Sequence, residues 1–185
     1  MRTDLKTIAK LLPPPASPRG LDRPWDVVEQ QIGLPLPADY KAFIDLYGTG
    51  KVSSADGWAD IWNFRDKSLF GRSVSEGLSG PESVAQFYRR RVNTTDWPCP
   101  FPIYPEPGGL LPFGSVVDVQ HLNWLTTGPP DRWDVVYFHF DGLEFTRLEG
   151  DSFSRCLLKM LRQEYSGLAR PSSLEPPFEF SALRR

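Results

Sequence analysis

The spacing of apolar residues predicts five amphipathic helices. In the third of them, the positions i, i+3, i+4 and i+7 are occupied by Tyr40, Phe43, Ile44 and Tyr47, as in a helix that buries one face. The first predicted helix ends at a run of three prolines, because proline cannot continue a helix. The predicted helices lie at about residues 3–12, 24–32, 37–47, 81–91 and 152–161.

Between and after these helices, the sequence has stretches typical of β-strands, at residues 57–64, 110–116 and 118–126. The clearest signal is DVVYFHFDGLEFTRL, where Asp141-Gly142 separates two β-rich runs and predicts a two-residue hairpin turn. In that register Phe138 faces Phe145. One face of the hairpin is then apolar and the other is mixed and wetter. The apolar face contains Val136, Phe138, Phe140, Leu143 and Phe145, and the mixed face contains Tyr137, His139, Glu144 and Thr146.

The order of these elements predicts an α+β fold: an antiparallel sheet packed by N-terminal helices and a closing C-terminal helix. We divide the chain into an N-terminal helix with a proline-rich linker (residues 1–20), one domain (21–166) and a tail (167–185). The tail is rich in proline and serine, and we expect it to run over the surface.

The stretch YGTGKVSS contains glycines, a lysine and serines, as phosphate-binding loops do. A Walker-type loop requires G-x-x-x-x-G-K-[ST] between a strand and a helix. Here Asp45 stands in place of the first glycine, Val52 follows Lys51, and the segment runs from a helix into a predicted strand. We interpret Gly48 as a helix terminator and Gly50 as part of the turn beyond it.

The composition is that of a globular protein, with 185 residues, of which 40% are hydrophobic, and a net charge of −2. A general nucleic-acid binder would normally be basic, so we expect no direct nucleic-acid partner. Cys99 and Cys156 have neither metal-ligand spacing nor a disulfide framework. The sequence contains no apolar run of membrane-spanning length and no recognisable signal peptide, so we expect a cytoplasmic protein without a membrane partner.

No established catalytic motif is present, and we predict no catalytic, cofactor-binding or metal-binding residues. One enzyme hypothesis stays open, because His139 and Glu144 are predicted cross-strand partners and a histidine–carboxylate pair can act as a general base. His121 has no serine or cysteine nucleophile that the sequence ties to it. His139 and Asp141 are two potential ligands, which make only a weak metal site.

Charge is unevenly distributed, and this suggests a binding surface. Between Asp118 and Asp151 seven acidic residues stand against two basic ones, a local charge of −5. Such a surface would attract a basic partner and accelerate association, although ordinary solubility also explains it. Trp58 and Trp62 flank Asp60 and are either core residues or interface anchors. The predicted partner-binding residues are Trp58, Asp60, Trp62, Asp131, Asp134, Asp141, Glu144 and Glu149.

The order of several motifs resembles a known family. The pattern W-x-x-V-E-x-x-x-G-x-x-L-P-x-D-Y-K-x-F-x-x-x-Y-G-x-G, from Trp25 to Gly50, is similar to the N-terminal signature of the SUKH superfamily, which includes fungal cell-wall-assembly regulators. LLPFG (110–114), LNWLTTGPPDRW (122–133), VVYF (135–138) and SFSRCLLKML (152–161) continue the resemblance in the same order. It covers roughly residues 21–165.

The resemblance implies an α+β domain without known catalytic residues. Many bacterial members are immunity proteins encoded beside secreted polymorphic toxins, often nucleases or deaminases, which they bind and block. The fungal relatives are regulatory interaction proteins. We therefore expect a non-enzymatic protein that binds and occludes a cognate toxin, with a housekeeping regulatory adaptor as the alternative. The shared positions, such as Glu29 and Tyr40, are expected to build the fold and not to contact the partner.

Overall fold

A computed structural model describes residues 3–70, 81–92, 99–117, 120–140, 142–165, 168 and 176–182. Within these ranges the chain is an α+β domain, as the sequence predicts. The helices are α1 (Thr3–Leu11), α2 (Trp25–Ile32), α3 (Ala38–Tyr47), the single-turn α4 (Lys67–Phe70), α5 (Pro81–Val92) and α6 (Phe153–Leu161). The strands are β1 (Gly50–Ser53), β2 (Trp58–Ile61), β3 (Leu110–Val116), β4 (Gln120–Leu125), β5 (Val135–His139), β6 (Glu144–Leu148) and β7 (Glu179–Ala182), with a 3-10 turn at Pro130–Arg132.

The seven strands form one antiparallel sheet in the order β6-β5-β4-β3-β2-β1-β7. Strands β1 to β6 are neighbours in chain order, so they form a simple meander. β7 returns to the far edge and pairs with β1, with Phe180 opposite Val52. Residues 179–182 of the predicted tail therefore join the sheet, so the expectation that the tail runs over the surface is wrong for this segment.

One face of the sheet packs against α3 and α6. The ring of Tyr40 in α3 lies 4.9 Å from that of Trp124 in β4 and 5.3 Å from that of Phe153 in α6. The four residues of the predicted α3 stripe are all fully buried, which confirms the helical spacing of Tyr40, Phe43, Ile44 and Tyr47. Burial also raises the pKa of the Tyr40 hydroxyl well above its usual range. Its proton stays in place and donates to the carbonyl of Trp62.

The N-terminal helix α1 is part of the same core. Its residues Leu5 and Ile8, and Leu12 just beyond it, are buried, and α1 packs against α6. The hydroxyl of Tyr47 donates to the carbonyl oxygen of Leu12 at 2.6 Å, so the end of α1 is tied to α3. After the proline-rich segment, Arg19 forms an isolated parallel β-bridge with Gly48 at the end of α3.

The YGTG stretch is a helix end and a strand start, as the sequence analysis proposed. Gly48 ends α3 with φ of 71°, and its N–H donates to the carbonyl of Ile44. Gly50 opens β1, where a Cβ atom would lie 2.5 Å from the ring of Phe180. A side chain larger than hydrogen at Gly50 would therefore push β7 off the edge of the sheet.

The opposite face of the sheet is covered by α5. The ring of Tyr88 contacts Phe138 in β5 at 5.5 Å and Phe145 in β6 at 5.6 Å. The predicted pairing of Phe138 with Phe145 is confirmed. Tyr137, however, was assigned to a wetter face and is fully buried, because its side of the hairpin faces the helical layer of α3 and α6.

Candidate partner-binding surface

The predicted residues in β2 are not equally accessible. Trp58 and Asp60 lie half-buried on the same side of the strand, and both contact Lys51 of β1. Lys51 Nζ lies 3.2 Å from a carboxylate oxygen of Asp60 and 5.5 Å from the centre of the Trp58 ring. Trp62 follows the strand and is only 7% exposed, so it is a core residue in this structure.

Two of the predicted acidic residues make structural contacts. Asp131, in the 3-10 turn, accepts a hydrogen bond at 2.8 Å from the backbone N–H of Ala38, the first residue of α3. This N–H has no partner within the helix, so the carboxylate acts as a cap from a distant part of the chain. Asp134 pairs with Arg147 at 2.6 Å and accepts from the N–H of Gly150.

The remaining predicted acids lie along the β5–β6 hairpin. Glu144 opens β6 opposite His139 and is exposed, and Glu149 is exposed in the turn that follows the strand. Asp141 lies outside the described residues. Since β6 spans Glu144 to Leu148, the carboxylates of Glu144 and Glu149 belong to opposite ends of a strand about 14 Å long. The predicted residues are thus spread over separate regions of the sheet.

The β5–β6 hairpin keeps the predicted register. Paired strand residues end at His139 and begin again at Glu144, and the N–H of Leu143 donates to the carbonyl of Phe140 at 3.2 Å, so Phe140 faces Leu143 as the sequence predicts. Leu143 adopts a left-handed φ of 51°, and the N–H of Phe140 turns inward to the side-chain oxygen of Gln120. Phe140 stays on the α5 side of the hairpin, near Phe87 and Phe138, yet it is 40% exposed, and Leu143 is 43% exposed.

Sequence reasoning missed this exposed pair, because alternation alone places both side chains on the buried side of the hairpin. Among the described residues, four large hydrophobic side chains are exposed, and these two are the pair that shares one loop. The carboxylate of Glu144 follows directly in the chain. The two apolar groups and the acid form what we call the hairpin tip: Phe140, Leu143 and Glu144.

Beneath α5 lies a buried polar cluster of Tyr88, His121 and Asn123. The Asn123 amide donates to the carbonyl of Val136 at 3.1 Å, so its oxygen is left to accept the Tyr88 proton at 3.2 Å. Nδ1 of His121, 3.1 Å from the Tyr88 oxygen, is then the donor of that contact. The cluster therefore satisfies its own polar groups and fixes α5 on the sheet.

This cluster is poorly suited to catalysis. Burial lowers the pKa of His121 to about 4 and raises the pKa of Tyr88 well above its usual range, so both are neutral at pH 7. Cys99 donates to the carbonyl of Phe101 at 3.3 Å, and burial raises its pKa, which disfavours the reactive thiolate. His121 itself is only 4% exposed, so a substrate has little access to the ring.

The lowered pKa of His121 predicts a loss of stability in acid. The folded protein favours the neutral imidazole, so the contribution is complete above the unfolded pKa near 6.5 and is lost as the pH falls towards 4. We expect protonation of His121 to lower the free energy of unfolding by about 2–3 kcal/mol as the pH falls from 7 to about 4.5. Urea denaturation of the wild type and of His121→Phe over that range measures the difference.

The comparison of the two proteins isolates the contribution of His121. His121→Phe should flatten the pH dependence relative to the wild type, because it removes the imidazole that burial keeps neutral. If His121→Phe loses as much stability in acid as the wild type, the burial of a neutral His121 is not the cause.

The described residues contain no group of three or more His, Cys, Asp or Glu side chains placed to hold a metal ion. No helix in the described part of the chain is long and apolar enough to cross a membrane. A family model, SMI1 / KNR4 family (SUKH-1), matches residues 22–159, which is more than half of the chain. The chain belongs to the SMI1 / KNR4 family (SUKH-1). No curated protein and no solved structure matches it.

The SUKH-1 match begins after α1 and ends within α6, so it includes the sheet from β1 to β6. Helix α1 and strand β7 lie outside the match, although both pack on the domain. Positions shared with the SUKH signature make internal contacts: Glu29 accepts from the N–H of Leu36 at 2.8 Å and pairs with Lys41 at 2.7 Å. The hairpin tip lies inside the SUKH-1 region.

Proposed function

We propose that this chain is a non-enzymatic immunity protein, which binds a cognate polymorphic toxin in the cytoplasm of the producing cell and covers its active site. The observation that carries the proposal is the SUKH-1 match over residues 22–159. The sequence resemblance implies that many bacterial members of this superfamily neutralise nucleases or deaminases encoded beside them. We therefore propose a protein partner of that class, and no direct binding of nucleic acid.

The environments of the histidines and of Cys99 agree with a binding role. His121 is neutral and enclosed, and Cys99 is held as a thiol. His139 and Glu144 are cross-strand neighbours as the enzyme hypothesis required, but Glu144 is exposed at the end of its strand. A general base must be held within hydrogen-bond reach of a bound substrate. An exposed strand end does not enclose a substrate against Glu144.

Co-expression tests the proposal. The C-terminal domain of a large secreted protein encoded next to this chain is expressed in a heterologous host, with and without the chain, and survivors are counted. We expect the chain to restore survival and to co-purify with the domain. An inactive variant of the toxin domain, which should still co-purify, serves as the control for effects on its expression.

The alternative is a regulatory adaptor, since the same family model carries the name of SMI1 and KNR4 and the resemblance includes fungal regulators. Toxicity that the chain does not relieve, or the absence of any such neighbouring gene, would favour this alternative. Rescue without co-purification would contradict direct occlusion.

A further inference from the structure

The hairpin tip joins the two properties that a protein-binding surface needs. Phe140 and Leu143 expose large apolar side chains, and Glu144 beside them is an exposed acid. Exposed apolar groups that share one loop are typical of interaction sites, whereas single ones are normal on any surface. The other two exposed large hydrophobics of the described residues, Leu11 and Val27, lie in different helices, α1 and α2.

The acidic residues that the sequence predicts to bind a partner differ in whether they already make contacts within the domain. Asp60 pairs with Lys51, Asp134 pairs with Arg147, and Asp131 caps α3. A partner that used these carboxylates would compete with contacts that they already make within the domain. Glu144 and Glu149 make no ion pair with another described residue, and of the two Glu144 directly follows the exposed Leu143, so its charge can be offered to a partner together with an apolar contact.

The hairpin tip is fixed by contacts with α5 and β4. The ring of Phe140 stacks on that of Phe87 in α5, with ring centres 6.4 Å apart and planes tilted by 28°. The backbone N–H of Phe140 donates at 2.7 Å to the side chain of Gln120, which is fully buried. An aromatic anchor that is already fixed loses little entropy on binding, and such residues are typical hot spots.

We propose that the hairpin tip is the docking surface for the toxin, and that it inserts into a basic, partly apolar rim around the toxin's active site. This inference rests on the proposed function. Enzymes that act on nucleic acid line their substrate path with Lys and Arg, which neutralise phosphates. Glu144 supplies the complementary charge, and the two apolar side chains supply the desolvated contact that keeps substrate out.

Two double variants at positions with similar exposed fractions test the apolar part of the proposal. Phe140→Ser/Leu143→Ser removes the tip, and Leu11→Ser/Val27→Ser removes side chains exposed to a similar extent, 39% and 37%, elsewhere. The probe is the inactive C-terminal domain of the neighbouring secreted protein, titrated by calorimetry, and the active domain is used in the survival assay. Thermal denaturation of each variant shows that it remains folded.

We expect the tip variant to bind at least about 100-fold more weakly than the wild type and to lose rescue. The Leu11/Val27 variant should bind like the wild type. If wild-type chain binds the domain and the tip variant binds within about threefold of it, the tip is not the docking surface while the proposed function stands. If the wild type neither binds nor rescues, the proposed function itself fails and this inference falls with it.

Charge reversal supplies a second variant that leaves the apolar packing intact. Glu144→Lys should weaken binding about tenfold at low salt, and the effect should shrink as salt is added. Glu106→Lys makes the same change at an exposed position in the loop before β3, at the opposite end of the sheet, and should have little effect. Equal effects of the two substitutions would contradict a specific role for Glu144. The proposal would also be wrong if the hairpin tip joined two copies of this chain and did not contact the toxin domain.

Discussion

Trp124→Ala should lower the free energy of unfolding by about 3–5 kcal/mol, the usual cost of deleting a large buried aromatic side chain. Trp124 is fully buried in β4, an interior strand of the sheet next to the central strand β3. Its ring stacks on that of Phe113 at 4.3 Å and meets the edge of Tyr40 at 4.9 Å, so it joins the sheet to α3. The cavity would open between these layers. Urea denaturation of the purified variant measures the loss.

Two controls separate packing from other effects. Trp124→Phe should cost much less than the alanine variant, because phenylalanine keeps most of the buried ring and the indole N–H has no acceptor among the described residues. Trp58→Ala removes a half-buried indole from β2 and should also cost less. If Trp124→Ala were no more destabilising than Trp58→Ala, Trp124 would not be the centre of the core.

Asp39→Ala should cost about 3 kcal/mol, because one buried carboxylate serves two helices. Asp39 is 1% exposed at the start of α3. One of its oxygens accepts from both the N–H and the hydroxyl of Ser154 in α6, at 2.9 and 2.8 Å, and the other accepts from the N–H of Tyr40. Alanine would leave buried donors unsatisfied at the start of both helices. Chemical denaturation gives the size of the effect.

Ser154→Ala is the matched variant for this contact. It removes only the hydroxyl and keeps the backbone N–H, so it should cost about 1 kcal/mol, well below the loss from Asp39→Ala. The double variant should show strong coupling between the two sites. Independent, additive effects would mean that the carboxylate does not hold α6 through Ser154.

The local elements could be predicted from the sequence because their signals are local. The α3 stripe, the prolines after α1 and the β-rich hairpin each encode one element within a few residues, and the structure contains all three. The phosphate-loop hypothesis was excluded for the same kind of reason, and the structure has Gly50 and Lys51 at the start of β1.

Long-range polar contacts could not be predicted in this way. Asp39 and Ser154 are 115 positions apart, and Asp131 and Ala38 are 93 apart. Sequence patterns show that Asp131 is acidic but not that it caps a distant helix. The segment with a charge of −5 therefore resembled one acidic surface, while several of its carboxylates are used inside the fold.

The hairpin tip was missed because alternation assigns a side chain to a face but does not show how far the helix above that face covers it. Phe140 lies on the α5 side of the hairpin, near Phe87, and is still 40% exposed. Strand β7 was missed for a related reason: its pairing depends on a close approach of Phe180 to Gly50 that no local pattern reveals.

We propose that this protein neutralises a cognate toxin by binding alone. A titration of the purified chain against the activity of the neighbouring toxin domain on nucleic acid, followed by mass spectrometry of the toxin, tests this proposal. We expect inhibition to be complete at about one chain per toxin, as for a tight stoichiometric complex, with the mass of the toxin unchanged. Inhibition by a small fraction of an equivalent, with a changed toxin mass, would show catalysis, and neutralisation by binding alone would then be wrong.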